Sequence, residues 1–293
     1  MLQMFATYWY PLNMIRRDLE NQIITHFQNQ QNPQGLIVAG VVGCGKTTLI
    51  KICLDQLKKK YQIFEFSGDD SQFRNAVREN SKHLYQEVKG LSTDGVQPLL
   101  IFVDEVQKSD EIFDALKYAF DHGQISFIVS GSNPAYLLHQ ARKRLQRRAN
   151  YLNLMPLAIS EILRSQETEE VQDYFFQLTN EKSPKALPVC KGVHENKKRV
   201  QDFLIKGGLP LAHLAPTFND SLLEIQKVYE RGFEPILEQT GSLSDAVSLE
   251  LARLHNREFT YQQILRKVGI RDRRPINGVI DLLKKHGYLL EIE

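Results

Sequence analysis

The chain has 293 residues, enough for about two domains. Hydrophobic residues make up 42% and charged residues 25%, the balance of a soluble globular protein, which excludes disorder throughout. With 37 Lys plus Arg against 35 Asp plus Glu, the net charge of +2 leaves any nucleic-acid surface to local patches.

The longest strongly apolar run, Leu99 to Val103, is five residues, against about 20 for a membrane span, so no membrane partner is expected. The opening MLQMFATYWYPLNMIRR carries no charge ahead of its apolar part and makes a poor secretory signal. Cys44, Cys53 and Cys190 form no CxxC pair, and no HExxH occurs. A reduced, cytoplasmic protein without structural metal is expected.

The first 30 residues read as a helix leading into a sheet. Short apolar runs then alternate with amphipathic stretches: LIVAG (36–40), YQIFEF (61–66), LLIFVD (99–104), ISFIVS (125–130) and YLNLM (151–155). Helices are expected between them near 46–59, 72–90, 110–122 and 134–148. Strands alternating with helices predict a parallel α/β sheet covered on both faces. Residues 165–200 are polar and read as an inserted connection. A Gly-Gly-Leu-Pro turn (207–210) leads to a helix over 219–239 with Leu222, Ile225, Tyr229, Phe233 and Ile236 on one stripe. The last 50 residues predict three short helices and a closing strand. The first is Leu243 to Leu254, and the second runs from a Thr260 N-cap to Val268, stopped by Gly269. Asp272 and Pro275 open the third, which runs to His286 and Gly287, and YLLEIE finishes the chain.

GVVGCGKT, Gly40 to Thr47, fits G-x-x-x-x-G-K-[ST] between a strand and a helix. Glycines let backbone N–H groups curl around phosphate oxygens, and the helix N-terminus adds donors and partial positive charge. Gly40, Val41, Val42, Gly43, Cys44, Gly45, Lys46, Thr47 and Thr48 are therefore the candidate nucleotide-binding residues. Lys46 is expected on the terminal phosphates and Thr47 on Mg²⁺.

LLIFVDEVQ places Asp104 and Glu105 at the end of a buried strand. An Asp there can hold Mg²⁺ with Thr47, and an adjacent Glu can polarise an attacking water. Kinases built on this loop usually lack the second carboxylate, so the pair favours hydrolysis. ISFIVS ends in Ser130-Gly131-Ser132-Asn133. Ser132 or Asn133 could align the water, and Asn133 equally suits an N-cap for a helix starting at Pro134.

ARKRLQRR packs Arg142, Lys143, Arg144, Arg147 and Arg148 into seven residues. One of these arginines could act on a neighbouring subunit's phosphate. The cluster could instead bind nucleic acid or form a solvated face.

GVVGCGKTTL, FVDEVQK, FDALKYAFDHG, FIVSGSN, LQRR, LNLMPLAISEIL and FLIKGGLP follow one another as in a group of prokaryotic AAA-type P-loop ATPases, which the chain resembles over about residues 12–290. The resemblance implies ATP and Mg²⁺ as cofactors and a P-loop NTPase core, a three-layer α/β/α arrangement with strand order 5-1-4-3-2. It further implies a winged-helix region and often a nuclease-like domain, which these 293 residues do not include. It places Asn133 between the loop and Asp104. It also points to Arg148 as the trans-acting arginine, with Arg147 where the family has Gly. The expected division is an ATPase core over 1–164, a helical connection over 165–240, and a winged helix-turn-helix over 241–293.

In the third C-terminal helix, Arg273, Arg274, Asn277, Lys284 and Lys285 would face outward and Ile276, Val279, Ile280 and Leu283 inward. Residues 244–293 carry nine Lys/Arg against seven Asp/Glu, weakly basic for a DNA binder. Two readings stay open. One is a DNA-associated ATPase hydrolysing ATP between subunits of a homo-oligomer. The other is a slow nucleotide switch whose C-terminal half binds a protein.

Overall fold

The computed structural model describes residues 15–28, 32–92, 97–165, 193–237, 243–253, 261–269 and 272–286. Five strands, β1 (Gly35–Ala39), β2 (Gln62–Ser67), β3 (Leu99–Asp104), β4 (Ser126–Gly131) and β5 (Ala149–Asn153), form one sheet ordered β2-β3-β4-β1-β5. Every neighbouring pair is parallel. β1 and β4 are buried along their whole length, which is why apolar residues dominate them, with Ser126 and Ser130 of β4 the buried polar exceptions. β2 and β5 are edges and are only partly covered, so polar residues such as Glu65 and Asn150 are tolerated there.

Alternate side chains of each strand enter opposite cores. Ile37, Ile101, Val103, Phe127 and Val129 pack against α3 (Ser71–Glu79), α4 (His83–Leu91) and α5 (Glu111–Gly123). Leu36, Val38, Leu100, Phe102 and Ile128 pack against α1 (Glu20–Gln28) and α2 (Lys46–Leu57). Pairing of Ala39 with Gly131 and of Ser67 with Asp104 aligns the C-terminal ends of the strands, and the site is built there.

Several expected elements differ in extent. The helix expected over 72–90 is two, because Asn80 is extended and its Oδ1 accepts the Lys82 N–H at 2.9 Å, a local turn competing with the helix. The helix expected to reach 148 is α6 (Pro134–Arg144) and stops early. A turn from Leu145 O to Arg148 N (2.9 Å), with Arg147 at φ 62°, carries the chain directly into β5.

The core continues into α7 (Ile159–Ser165). Then follow α8 (Val193–Lys206), α9 (Pro210–Leu214) and α10 (Phe218–Val228), a π turn over Tyr229–Phe233, and α11 (Glu234–Leu237). The continuous helix expected over 219–239 is thus interrupted by a π turn. Its expected apolar stripe is not buried as a unit, since Leu222 and Tyr229 are exposed and Ser221 is covered instead.

Last come α12 (Leu243–Arg253), α13 (Tyr261–Val268) and α14 (Arg274–Lys285), which share a small core of Val247, Ile264, Ile276, Val279, Ile280 and Leu283. Gly269 ends α13 with φ 77°, its N–H bonded to Leu265 O at 3.0 Å. Pro275 sits in the first turn of α14. The expected Thr260 cap, the closing strand YLLEIE and most of the 165–200 connection lie outside the described residues. Among the described residues no helix is long and apolar enough to cross a membrane.

Candidate functional site

The loop from Gly40 to Gly45 joins β1 to α2. Gly43 (φ 78°) and Gly45 (φ 92°) take left-handed backbone that side chains disfavour. Gly40 is a glycine for a different reason: a Cβ there would lie 2.4 Å from Leu154 O, a backbone atom that cannot give way. α2 begins at Lys46, so its first N–H groups face the loop opening.

The Lys46 ammonium folds back on the loop, donating to Gly40 O at 2.9 Å and Val41 O at 3.0 Å. Thr47 Oγ1 donates to Asp104 Oδ2 at 2.7 Å. Asp104 Oδ1 also accepts the Ser130 hydroxyl and the Glu105 N–H (3.0 Å), which fix the carboxylate across β3 and β4. A hydroxyl and a carboxylate oxygen thus meet beside the loop, the hard oxygen set that suits Mg²⁺.

Glu105 is the first residue past β3 and takes left-handed backbone at φ 50°, at a cost of about 1 kcal/mol or more for a non-glycine residue. Its carboxylate accepts from Ser132 Oγ at 3.0 and 3.2 Å and from the Gln107 amide. Of the two residues considered at the tip of β4, Ser132 therefore reaches Glu105. Asn133 spends its Oδ1 on the Tyr136 N–H at 3.1 Å as the cap of α6.

A cavity of about 280 Å³ opens over the loop. Val42, Gly43, Gly45, Lys46, Thr47 and Thr48 form its floor, and Glu105 and Ser132 one end. Ile15 and Arg17 come from before the sheet, and Pro210, Leu211 and Leu214 from α9. Pro210, the last residue of the Gly-Gly-Leu-Pro turn that the sequence shows leading to a helix, thus lines the cavity. Leu157 N–H donates to Gly208 O at 2.7 Å, and a Cβ on Gly43 would collide with Val228 of α10 at 2.6 Å.

Arg17 is the residue that sequence reasoning missed. It is 6% exposed, and its guanidinium makes three bonds: Nη1 to Cys44 O (2.7 Å), Nη2 to Met155 O (2.6 Å) and Nε to Glu161 Oε1 (3.0 Å). Glu161, equally buried, also accepts the Asp18 and Ala158 N–H groups at 2.9 and 2.8 Å. The Cys44 carbonyl and the Gly45 N–H belong to one planar peptide and point opposite ways. Holding the carbonyl therefore fixes the direction of a loop donor. Arg17→Lys keeps the charge but not the fork, and ATP affinity is expected to fall about tenfold. Arg17→Ala strands the Glu161 carboxylate and is expected to destabilise the chain by about 3 kcal/mol, read as a lower unfolding midpoint. Unchanged affinity in the lysine variant would show that Arg17 does not organise the loop.

Other side chains of the site are more settled. Cys44 is fully buried and its thiol is pushed up by desolvation, so it is held neutral. Arg144 bonds Asp110 at 2.9 Å and also pairs with Asp114. Arg148 makes a two-pronged pair with Asp121 (Nε–Oδ1 2.6 Å, Nη2–Oδ2 2.9 Å), which holds that carboxyl below its usual range. Arg142, Lys143 and Arg147 are exposed. On α14, Arg274 pairs with Asp272 at 2.8 Å, and Arg273 and Lys284 each carry an interaction of their own. Arg273, Arg274, Asn277 and Lys285 are exposed, and Lys284 is half-buried.

Residues 32–163, the stretch holding the loop, the acidic pair and the sheet, match the family model described as AAA domain. No curated protein matches the chain. Among solved structures the chain is similar to the Hsp104–ADP complex of S. cerevisiae, with 14% identity and a TM-score of 0.43, covering 91% of this chain and 38% of that one. It is also similar to AMPPCP-bound DnaA from Aquifex aeolicus (15% identity, TM-score 0.37, 93% and 88% covered) and to Drosophila ORC bound to DNA (12%, 0.43, 90% and 84%). The chain spans well under half the length of the Hsp104 chain.

Proposed function

We propose that this protein is a Mg²⁺-dependent ATPase whose turnover drives work on DNA. The observation that carries the reading is the convergence on one cavity of Lys46, Thr47 and Glu105, with Asp104 bound to Thr47 at 2.7 Å beside it. Gly45, Lys46, Thr47 and Thr48 would bind the phosphates through backbone N–H groups, and Lys46 would exchange its two loop carbonyls for phosphate oxygens. Ile15, Pro210, Leu211 and Leu214 offer an apolar wall to the base. Thr47 and Asp104 would hold Mg²⁺, which when bound neutralises charge on the phosphate oxygens. Glu105, aimed by Ser132, would take the proton of the attacking water. ATP rather than GTP rests on the likeness to AAA-type ATPases, and no guanine-reading N/T-K-x-D motif stands after the core strands.

Catalysis between subunits would add an arginine from a neighbour. Arg148 is engaged by Asp121, whereas Arg147 is exposed beside it at a left-handed φ of 62°. The C-terminal helices, read as a winged helix, would supply the DNA contact through Arg273, Arg274, Asn277, Lys284 and Lys285. One observation favours the second reading, a switch with a protein partner. Arg274 is paired with Asp272, while α8 to α10 expose Leu204 (76%), Leu211 (56%) and Leu223 (54%).

Phosphate release from ATP, measured with Mg²⁺ or with EDTA, with and without DNA, and across protein concentration, tests this reading. Mg²⁺-dependent release that rises with DNA and steeply with concentration is expected. Release indifferent to DNA and to concentration would turn the reading to the protein-partner switch, and no release at all would overturn hydrolysis.

A further inference from the structure

We propose that Gln107 is a positioning residue for Glu105: it holds the carboxylate in its working orientation without itself reaching the nucleotide. This inference rests on the ATPase reading of the site. Glu105 and Ser132 line the loop cavity, and Gln107 stands behind them in the short 3₁₀ turn Val106–Lys108. Its amide is used in both directions. Nε2 donates to Glu105 Oε2, and Oε1 accepts the Ser132 N–H at 3.3 Å. Ser132 Oγ donates to the same carboxylate, at 3.0 Å to Oε1. Glu105, Gln107 and Ser132 thus close a ring that ties the end of β3 to the end of β4.

An amide is the group this place requires. It must donate to a carboxylate on one side and accept from a backbone N–H on the other, and a carboxylate in its place could not donate to Glu105. The neighbouring glycine supplies a second, independent observation. A Cβ built on Gly131 would lie 2.1 Å from Gln107 Oε1 and 2.9 Å from Leu137 Cδ1. Gly131 is a regular member of β4, paired with Ala39, and is not among the glycines of positive φ. Its backbone would accept any residue. What requires glycine there is the space the Gln107 amide occupies, so the two residues form a matched pair at the tip of the sheet. Glu105, at left-handed φ on the first residue past β3, depends on these side-chain bonds for its aim.

The test compares Gln107→Ala, Glu105→Gln, the double variant and Gly131→Ala by single-turnover hydrolysis, ATP binding and unfolding midpoint. Gln107→Ala is expected to slow hydrolysis by about tenfold to a hundredfold, the scale of a misplaced reacting group. ATP affinity should stay within about twofold, because the loop donors are untouched. In the Glu105→Gln background Gln107→Ala should add nothing, since both act through one group. Gly131→Ala should slow hydrolysis in the unsubstituted chain and add little once Gln107 is Ala. Equal fractional losses in both Glu105 backgrounds, or affinity falling in step with rate, would show a merely structural role and overturn the inference. A Gln107→Ala variant that hydrolyses normally while Glu105→Gln does not would overturn the inference alone. Normal hydrolysis by Glu105→Gln would remove Glu105 as the base in the proposed reading of the site, and the inference with it.

Discussion

Lys46→Ala is expected to lower ATP affinity by about two orders of magnitude, near 2.7 kcal/mol, and to leave hydrolysis undetectable at ordinary nucleotide concentrations. Lys46 is 6% exposed, and its ammonium is held by two carbonyls of the loop. Two neutral acceptors only part-satisfy a buried cation, so its exchange onto negatively charged phosphate oxygens is favourable. Alanine removes that partner and leaves the Gly40 and Val41 carbonyls without their donor. The fold should survive. Lys46 opens α2, where alanine is a good helix former, and neither hydrophobic core of the sheet includes it. Titration with a fluorescent ATP analogue, beside a thermal melt of the same sample, checks both parts. Retained affinity in a folded variant would remove Lys46 from the phosphate site.

What the sequence made legible is what local chemistry determines. β1, β3 and β4 are covered on both faces, and each is built on an apolar run, LIVA, LLIFV and FIV. The loop needs glycines at fixed offsets for its positive φ angles, and the pattern GVVGCGKT states them. α14 buries Ile276, Val279, Ile280 and Leu283, the stripe its helical period implies. Contacts made by closure of the fold were not legible. Arg17 and Glu161 are 144 residues apart and meet only once α7 packs behind the loop. Arg148 finds Asp121 across 27 residues. Nothing local distinguishes a paired arginine from a free one, so the basic run looked uniform although Arg144 and Arg148 are engaged and Arg142 is exposed. The cavity wall from Pro210, Leu211 and Leu214 was likewise hidden, because a Gly-Gly-Leu-Pro turn does not say what it will cover.

Glu105→Gln is expected to bind ATP as tightly as the unsubstituted chain and to hydrolyse it at least a hundredfold more slowly, the usual contribution of a general base. The substitution preserves shape, and one oxygen remains to accept from Ser132 Oγ, so the end of β4 should keep its place. Asp104, Thr47 and Lys46 are unchanged, so phosphate and Mg²⁺ contacts persist and the nucleotide should stay bound as ATP. What is lost is the capacity to take a proton from water, because an amide is not a base near neutral pH. Binding and turnover therefore separate in this variant, whereas Lys46→Ala loses both. The decisive measurement is the identity of the nucleotide recovered from the protein after incubation with Mg²⁺ and labelled ATP. Intact ATP recovered from Glu105→Gln, against ADP from the unsubstituted chain, assigns the base. ADP from both would leave Asp104 and the loop as the metal and phosphate site and require the water to be activated by another group, with Ser132, 3.0 Å from Glu105 and on the wall of the same cavity, the next to be substituted.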